Sequence, residues 1–197
     1  MSKRFLPVIL AAGLHASVAQ AAIVVADATY ADNAVVDQLL GYSGAFTTSG
    51  GPLASVITDR DAGTYAFSFS AGAQLTLGWA GRQAFNGIGA DIDLYELGTP
   101  NALSVTINGI SRSFTSVATS SSLGYALNRV SIDLSDFGVA SGAGIGSLVI
   151  GMAGSASSVP TLSLVAARQI SVVPENGTVA LMALGLAGLI LSVRRRA

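Results

Sequence analysis

The chain predicts an all-β fold: a single jelly-roll-like β-sandwich, flanked by an N-terminal signal peptide and a C-terminal transmembrane helix. Three observations predict it. Several short segments alternate apolar and polar residues with a period of two and are separated by Gly- and Asn-containing turns, the pattern of half-buried strands. Only 11% of the residues are charged, while Gly, Ser, Ala, Thr and β-branched residues abound, which favours sheet with tight turns. Each end carries an uncharged apolar run beside basic residues, outside the alternating region. The predicted divisions are residues 1–21, 22–172 and 173–197.

At the N-terminus, Lys3 and Arg4 precede the apolar run Phe5–Leu14, and Ala19-Gln20-Ala21 is a small-x-small cleavage site. This order is that of a secretory signal peptide read by signal peptidase, with cleavage expected after Ala21. Ile23–Ala26 starts a first strand, and Val35–Leu40 reads as either a short helix or a strand. Gly41–Leu53 reads as a long loop. Thr64–Phe69 alternates with Tyr65, Phe67 and Phe69 on one face, and Ala73–Trp79 alternates with Leu75, Leu77 and Trp79 in phase. Asn86-Gly87 marks a turn. Ala90–Leu97 places Ile92 and Leu94 on one face and Asp91, Asp93 and Tyr95 on the other.

The clearest hairpin follows. Asn108-Gly109 is the pair favoured in a type I′ turn. In that register Ile107 faces Ile110, Val105 faces Arg112 and Leu103 faces Phe114. Arg112 breaks the apolar face, so its head either extends to solvent or meets a carboxylate. Ser116–Ser122 and Ala140–Gly146 read as loops. Val130–Leu134, Ser147–Met152 and Leu162–Ala166 are further strands, and Arg168–Val172 leads into the tail. Strands of this length suggest a sandwich of the jelly-roll type.

The tail has a motif at 173–178, an uncharged run at Thr178–Val193, and the basic cluster Arg194-Arg195-Arg196. As a helix the run rises about 24 Å, a short span that snorkelling or bilayer thinning can extend. The arginines are expected on the cytoplasmic side, leaving the body outside.

Composition narrows the function classes. The chain has no cysteine, and its one histidine, His15, lies in the signal peptide. Cys- or His-based zinc sites, Ser-His-Asp triads and Cys-His nucleophiles are therefore excluded from the body. Over Ala22–Val173 five arginines stand against ten acidic residues, a net charge near −5, with no lysine. Nucleic acid is not an expected partner of such a surface.

Val173, Pro174 and Glu175, the apolar run and the arginine cluster together resemble the PEP-CTERM sorting domain of Gram-negative exporters of extracellular polysaccharide. Asn176 stands where that signal has a second proline, and variant signals with a Val-Pro-acid-small-Gly pattern look closer still. The resemblance implies recognition by an exosortase, cleavage near Pro174-Glu175, and a transient anchor in the inner membrane. It implies a destination at the cell surface or beyond it. Pro174 and Gly177 also look like parts of a Gram-positive sortase signal, whose pattern Val173 and Asn176 do not fit. In the body, Gln74–Trp79, Asn86–Glu96 and Val130–Gly138 resemble segments of PEP-CTERM surface proteins. That likeness implies a sandwich like those of carbohydrate-binding modules.

Two constellations stand out. Asp91, Asp93 and Glu96 are hard-oxygen ligands suited to calcium; a solvated sheet face explains the same pattern and is preferred. No other cofactor is expected. Trp79 with Tyr65 or Tyr95 suits a sugar-stacking platform; the phase of Trp79 with Leu75 and Leu77 favours the core. The expectation is a non-enzymatic surface or matrix protein, structural or adhesive in an exopolysaccharide or biofilm layer. A glycan-recognising module is the alternative. A carboxylate-dependent hydrolase is a third reading, and would need two facing carboxyls. An exposed aromatic row would favour glycan recognition.

Overall fold

The computed structural model describes residues 21–152 and 159–173. The segment read as a signal peptide, up to Gln20, and the tail from Pro174 onward, and with them Ala19, Glu175 and Arg194–Arg196, lie outside the described residues. Among the described residues no helix is long and apolar enough to cross a membrane.

The fold is all-β. In chain order the strands are β1 (Ala22–Val25), β2 (Ala28–Ala31), β3 (Gln38–Ser43), β4 (Thr47–Thr48), β5 (Ala66–Phe67), β6 (Gln74–Gly78), β7 (Arg82–Phe85) and β8 (Ile92–Leu97). Then come β9 (Ala102–Ile107), β10 (Ile110–Thr115), β11 (Val117–Ser122), β12 (Ala126–Ile132), β13 (Gly144–Ile145), β14 (Ser147–Gly151), β15 (Thr161–Ala167) and β16 (Ile170–Val172). One short helix, α1 (Leu53–Thr58), lies between β4 and β5. A five-stranded sheet, β10-β9-β14-β6-β3, and a six-stranded sheet, β11-β12-β8-β15-β5-β4, are both antiparallel. A three-stranded sheet, β13-β7-β16, and the β1–β2 hairpin complete the fold.

The two large sheets bury one core. Leu75, Leu77, Leu103, Val105, Ile107, Leu148 and Ile150 come from the five-stranded sheet. Ala66, Ile92, Leu94, Val130, Ile132, Leu162 and Val165 come from the six-stranded sheet. Alternation alone would send Leu162 and Val165 to opposite faces. A bulge between Leu162 and Leu164 shifts the register of β15 against β8 and returns both to the core.

The outer face of the six-stranded sheet is also covered along part of its length. Tyr30 and Val25 of the β1–β2 hairpin pack with Val35, Tyr95, Leu97, Leu127, Leu164 and Ala166 in a second apolar cluster. Trp79 fastens this strap, because its indole Nε1 donates to the Ala34 carbonyl at 2.8 Å. β8 is therefore buried along all six residues.

Several sequence expectations are met. The β9–β10 hairpin has the predicted register, Ile107 to Ile110, Val105 to Arg112 and Leu103 to Phe114, with Asn108 and Gly109 both at positive φ. Arg112 extends outward; its Nε donates to the Asp136 carbonyl at 2.7 Å and its guanidinium lies over the Phe137 ring. Others are corrected. Ser116–Ser122 is not a loop, since β11 pairs there with β12. Gly41–Leu53 holds the end of β3, all of β4 and the first residue of α1. Ala140–Gly146 contains β13. Val35–Leu40 resolves as an isolated bridge from Val35 to Ala166 followed by the start of β3.

Candidate functional site

The residues singled out in the sequence are placed apart and inward. Asp91 and Asp93 do lie on the face opposite Ile92 and Leu94, but that face is not solvated: Asp91, Asp93 and Glu96 are all buried. Nor do they form one cluster. Asp91 stitches two loops, its Oδ1 accepting from the Gly87 amide at 2.8 Å and its Oδ2 from the Leu134 amide at 2.9 Å.

Asp93 anchors a polar network beneath the strap. Arg168 donates to it through Nε at 2.8 Å and Nη2 at 3.0 Å. The Ser131 and Tyr30 hydroxyls each donate to it at 2.6 Å. Burial alone would raise its pKa, but the donors from Arg168, Ser131 and Tyr30 outweigh it and hold the carboxyl below its ordinary value. Tyr30 spends its single proton on Asp93. Tyr95, 2.6 Å away, is therefore the donor between the two phenols.

Glu96 points the other way, on the inner face of β8 with Ile92 and Leu94. The Ser116 hydroxyl and the backbone N–H groups of Asn101 and Thr161 lie near it. Neither of its oxygens closes a hydrogen bond of ordinary geometry, and the same holds for Oδ1 of Asn128, its cross-strand neighbour. Burial outweighs the donors nearby and pushes its pKa up to about 7. With three separate environments, these carboxyls do not converge as ligands. Among the described residues no group of three or more His, Cys, Asp or Glu is placed to share a metal.

Trp79 and Tyr95 are likewise buried, at 3% and 0% exposure, so neither offers a ring face to a sugar. The exposed aromatic surface lies elsewhere. On β5 and its flanks the small residues Ala66 and Ser68 turn inward, at 0% and 2% exposure. The alternation that groups Tyr65, Phe67 and Phe69 thus puts the rings outside. Phe69 is 73% exposed, and Tyr125, just before β12, is 58% exposed.

These four rings form a row. Tyr125 meets Tyr65 edge-on at 6.2 Å, Tyr65 lies near-parallel to Phe67 at 6.4 Å, and Phe67 meets Phe69 edge-on at 5.4 Å. Beside them opens a groove of about 270 Å³. Tyr65, Phe67 and Tyr125 line it with Leu97, Thr99 and Thr161, and Gly98, Asn101 and Val159 complete it. None of these residues is charged. The Asn101 side-chain amide donates to the Thr99 and Val159 carbonyls, which fixes the groove's rim. Such a surface pairs flat apolar faces with a few uncharged hydrogen-bonding groups, the make-up of a small-ligand or oligomer site.

Of the rings the sequence named for stacking, Trp79 and Tyr95 are buried and Tyr65 lies in this row. The available signal was the alternation of Tyr65, Phe67 and Phe69 with residues as small as Ala66 and Ser68. Tyr125, sixty residues from Tyr65, carries no such local signal.

No protein-family model matches the chain, and no curated protein does. Among solved structures it is similar to an exo-β-1,3-galactanase from Phanerochaete chrysosporium with galactose, at 16% identity and a TM-score of 0.40 over 64% of this chain and 27% of that one. It is also similar to a structure of the same enzyme with β-1,3-galactotriose, at 14% identity and a TM-score of 0.37 over 64% of this chain and 26% of that one. The chain spans about a quarter of the length of these structures.

Proposed function

We propose that this protein is an exported glycan-binding module, a jelly-roll-like sandwich that holds extracellular polysaccharide through the row Tyr125, Tyr65, Phe67 and Phe69. The exposure of that row carries the reading. A monomeric soluble domain rarely leaves a contiguous apolar patch in water without a partner. The C–H face of a pyranose ring stacks on an aromatic face while its hydroxyls reach neighbouring amides and hydroxyls. Thr99 and Thr161 are such neighbours. The role in this reading is adhesion, since the groove's lining offers rings and uncharged hydrogen-bonding groups that can hold a sugar.

The sorting signals supply the route in this proposal. Signal peptidase releases the N-terminus after Ala21, the tail parks the body in the inner membrane, and an exosortase acts near Pro174-Glu175. The body then joins the exopolysaccharide or biofilm layer.

Electrophoresis through gels containing the host's extracellular polysaccharide tests the binding. The native protein is expected to be retarded, and Tyr125→Ala and Phe69→Ala to migrate roughly as in empty gels. Both side chains are exposed, so neither substitution threatens the core. Equal retardation of native and substituted proteins would overturn the assignment of the row.

A further inference from the structure

The same groove also bears on which glycan it takes, a question that rests on the glycan-binding reading above. We infer that its occupant is an uncharged, extended pyranose chain bound along its length, and not an acidic polymer or a chain end.

Charge carries the first half. The groove's lining offers phenol, amide and hydroxyl groups and no cation to meet a uronate, sulfate or pyruvate. An anionic sugar there would lose its hydration with no compensating charge. Nor does the surroundings' field help. The body carries a net charge near −5, so a polyanion is repelled before it arrives. The arginines point elsewhere: Arg168 is held by Asp93, Arg129 by Asp27, Arg60 by Asp32 and Arg82 by Asp37. Arg112 lies across Phe137.

Geometry carries the second half. Successive ring centroids are 6.2, 6.4 and 5.4 Å apart, with Tyr65 and Phe67 near-parallel and each terminal ring edge-on to its neighbour, so the row is longer than a single sugar ring. A site for a chain end is a closed pocket. Here the two terminal rings, Phe69 and Tyr125, are the most exposed of the four, so the row is open at both ends. A polymer can enter sideways and run past it in both directions. Each ring then adds to the same occupant, and affinity grows with oligomer length until the row is filled.

Isothermal titration of the full chain, in a detergent without a sugar headgroup, tests this. The probes are neutral cello-, laminari- and manno-oligosaccharides from disaccharide to hexasaccharide, with alginate and polygalacturonate as acidic polymers, at low and high salt. The expected result is binding of one neutral series that strengthens by roughly ten-fold per ring engaged. It should level off near the tetrasaccharide, ignore salt, and weaken in Phe69→Ala for long oligomers more than for short ones. Binding of the acidic polymers alone, lost at high salt, would overturn the neutral class while leaving glycan binding in place. A disaccharide bound as tightly as the hexasaccharide would overturn the extended mode alone. No binding of any probe, together with a change of oligomeric state in Tyr125→Ala, would make the row a contact between copies of this chain and defeat both readings. No binding and no change of state defeats both as well.

Discussion

At the scale of single residues, Glu96 and Asp93 stand three positions apart on β8, so they face opposite sides of the strand, and they titrate in opposite directions. Glu96 sits on the core side with its pKa pushed up to about 7 by burial, against 4.5 for the free side chain. The folded state therefore favours the protonated acid. Its contribution to stability is fully present below pH 4.5 and is lost as pH rises through 7. The shift corresponds to about 3 kcal/mol. Urea denaturation at mildly acidic and mildly alkaline pH is expected to show that loss in the native protein and not in Glu96→Gln, which stays neutral throughout. Parallel pH profiles for the two proteins would refute it. Asp93 behaves oppositely: its lowered pKa makes its contribution present above the ordinary carboxylate range and lost as pH falls through the folded value. Arg168→Ala leaves that buried carboxylate without its bidentate partner and is expected to cost about 3–5 kcal/mol, read from the denaturation midpoint.

At the scale of elements, the strap formed by β1 and β2 decides which part of the six-stranded sheet is open. It is held at three places: the Tyr30 hydroxyl on Asp93, Trp79 Nε1 on the Ala34 carbonyl, and the bridge from Val35 to Ala166. Tyr30→Phe removes the first hold and leaves Tyr95 without its phenolic acceptor. A loss of about 1–3 kcal/mol is expected, with faster amide hydrogen exchange in β1 and β2 than in β8. Uniform exchange would mean that the strap and sheet open together. The elements legible in the sequence were those whose signal is local: the Asn108-Gly109 hairpin and the alternation of β6, β8, β12 and β14. The illegible ones depended on distant partners. β11 is built of Val, Ala, Thr and Ser, a composition that reads as loop until β12 pairs with it. β8 seemed half-solvated because its outer residues are polar; the strap and Arg168 that bury them come from the two ends of the body. The aromatic face of β5 was legible as a face. Its direction was not, because apolar patterning assumes that large rings turn inward, and here Ala66 and Ser68 do.

At the scale of the whole molecule, the proposed sorting and the fold meet at β16. Ile170–Val172 pairs with β7, and the Val173 amide donates to the Gly81 carbonyl at 3.0 Å. This is the last described hydrogen bond before Pro174, which has no amide proton to extend the ladder. Cleavage near Pro174-Glu175 would therefore leave every described strand with its described partners. The body from Ala22 onward also carries no disulfide that processing or a change of compartment could disturb. Under the proposed route, the matured and uncut forms share one fold and differ only in location. Cell fractionation with mass spectrometry of the C-terminus is the check. In an exosortase-bearing host, the native protein is expected in the medium or surface layer with its C-terminus near Pro174, and Pro174→Ala in the inner membrane with its tail attached. Both forms, extracted, are expected to melt within a degree or so of each other, since the described strands end at Val172 and keep their pairing in both. A native protein recovered with its tail intact would defeat exosortase processing. A large melting difference would instead place residues beyond Val173 within the cooperative fold.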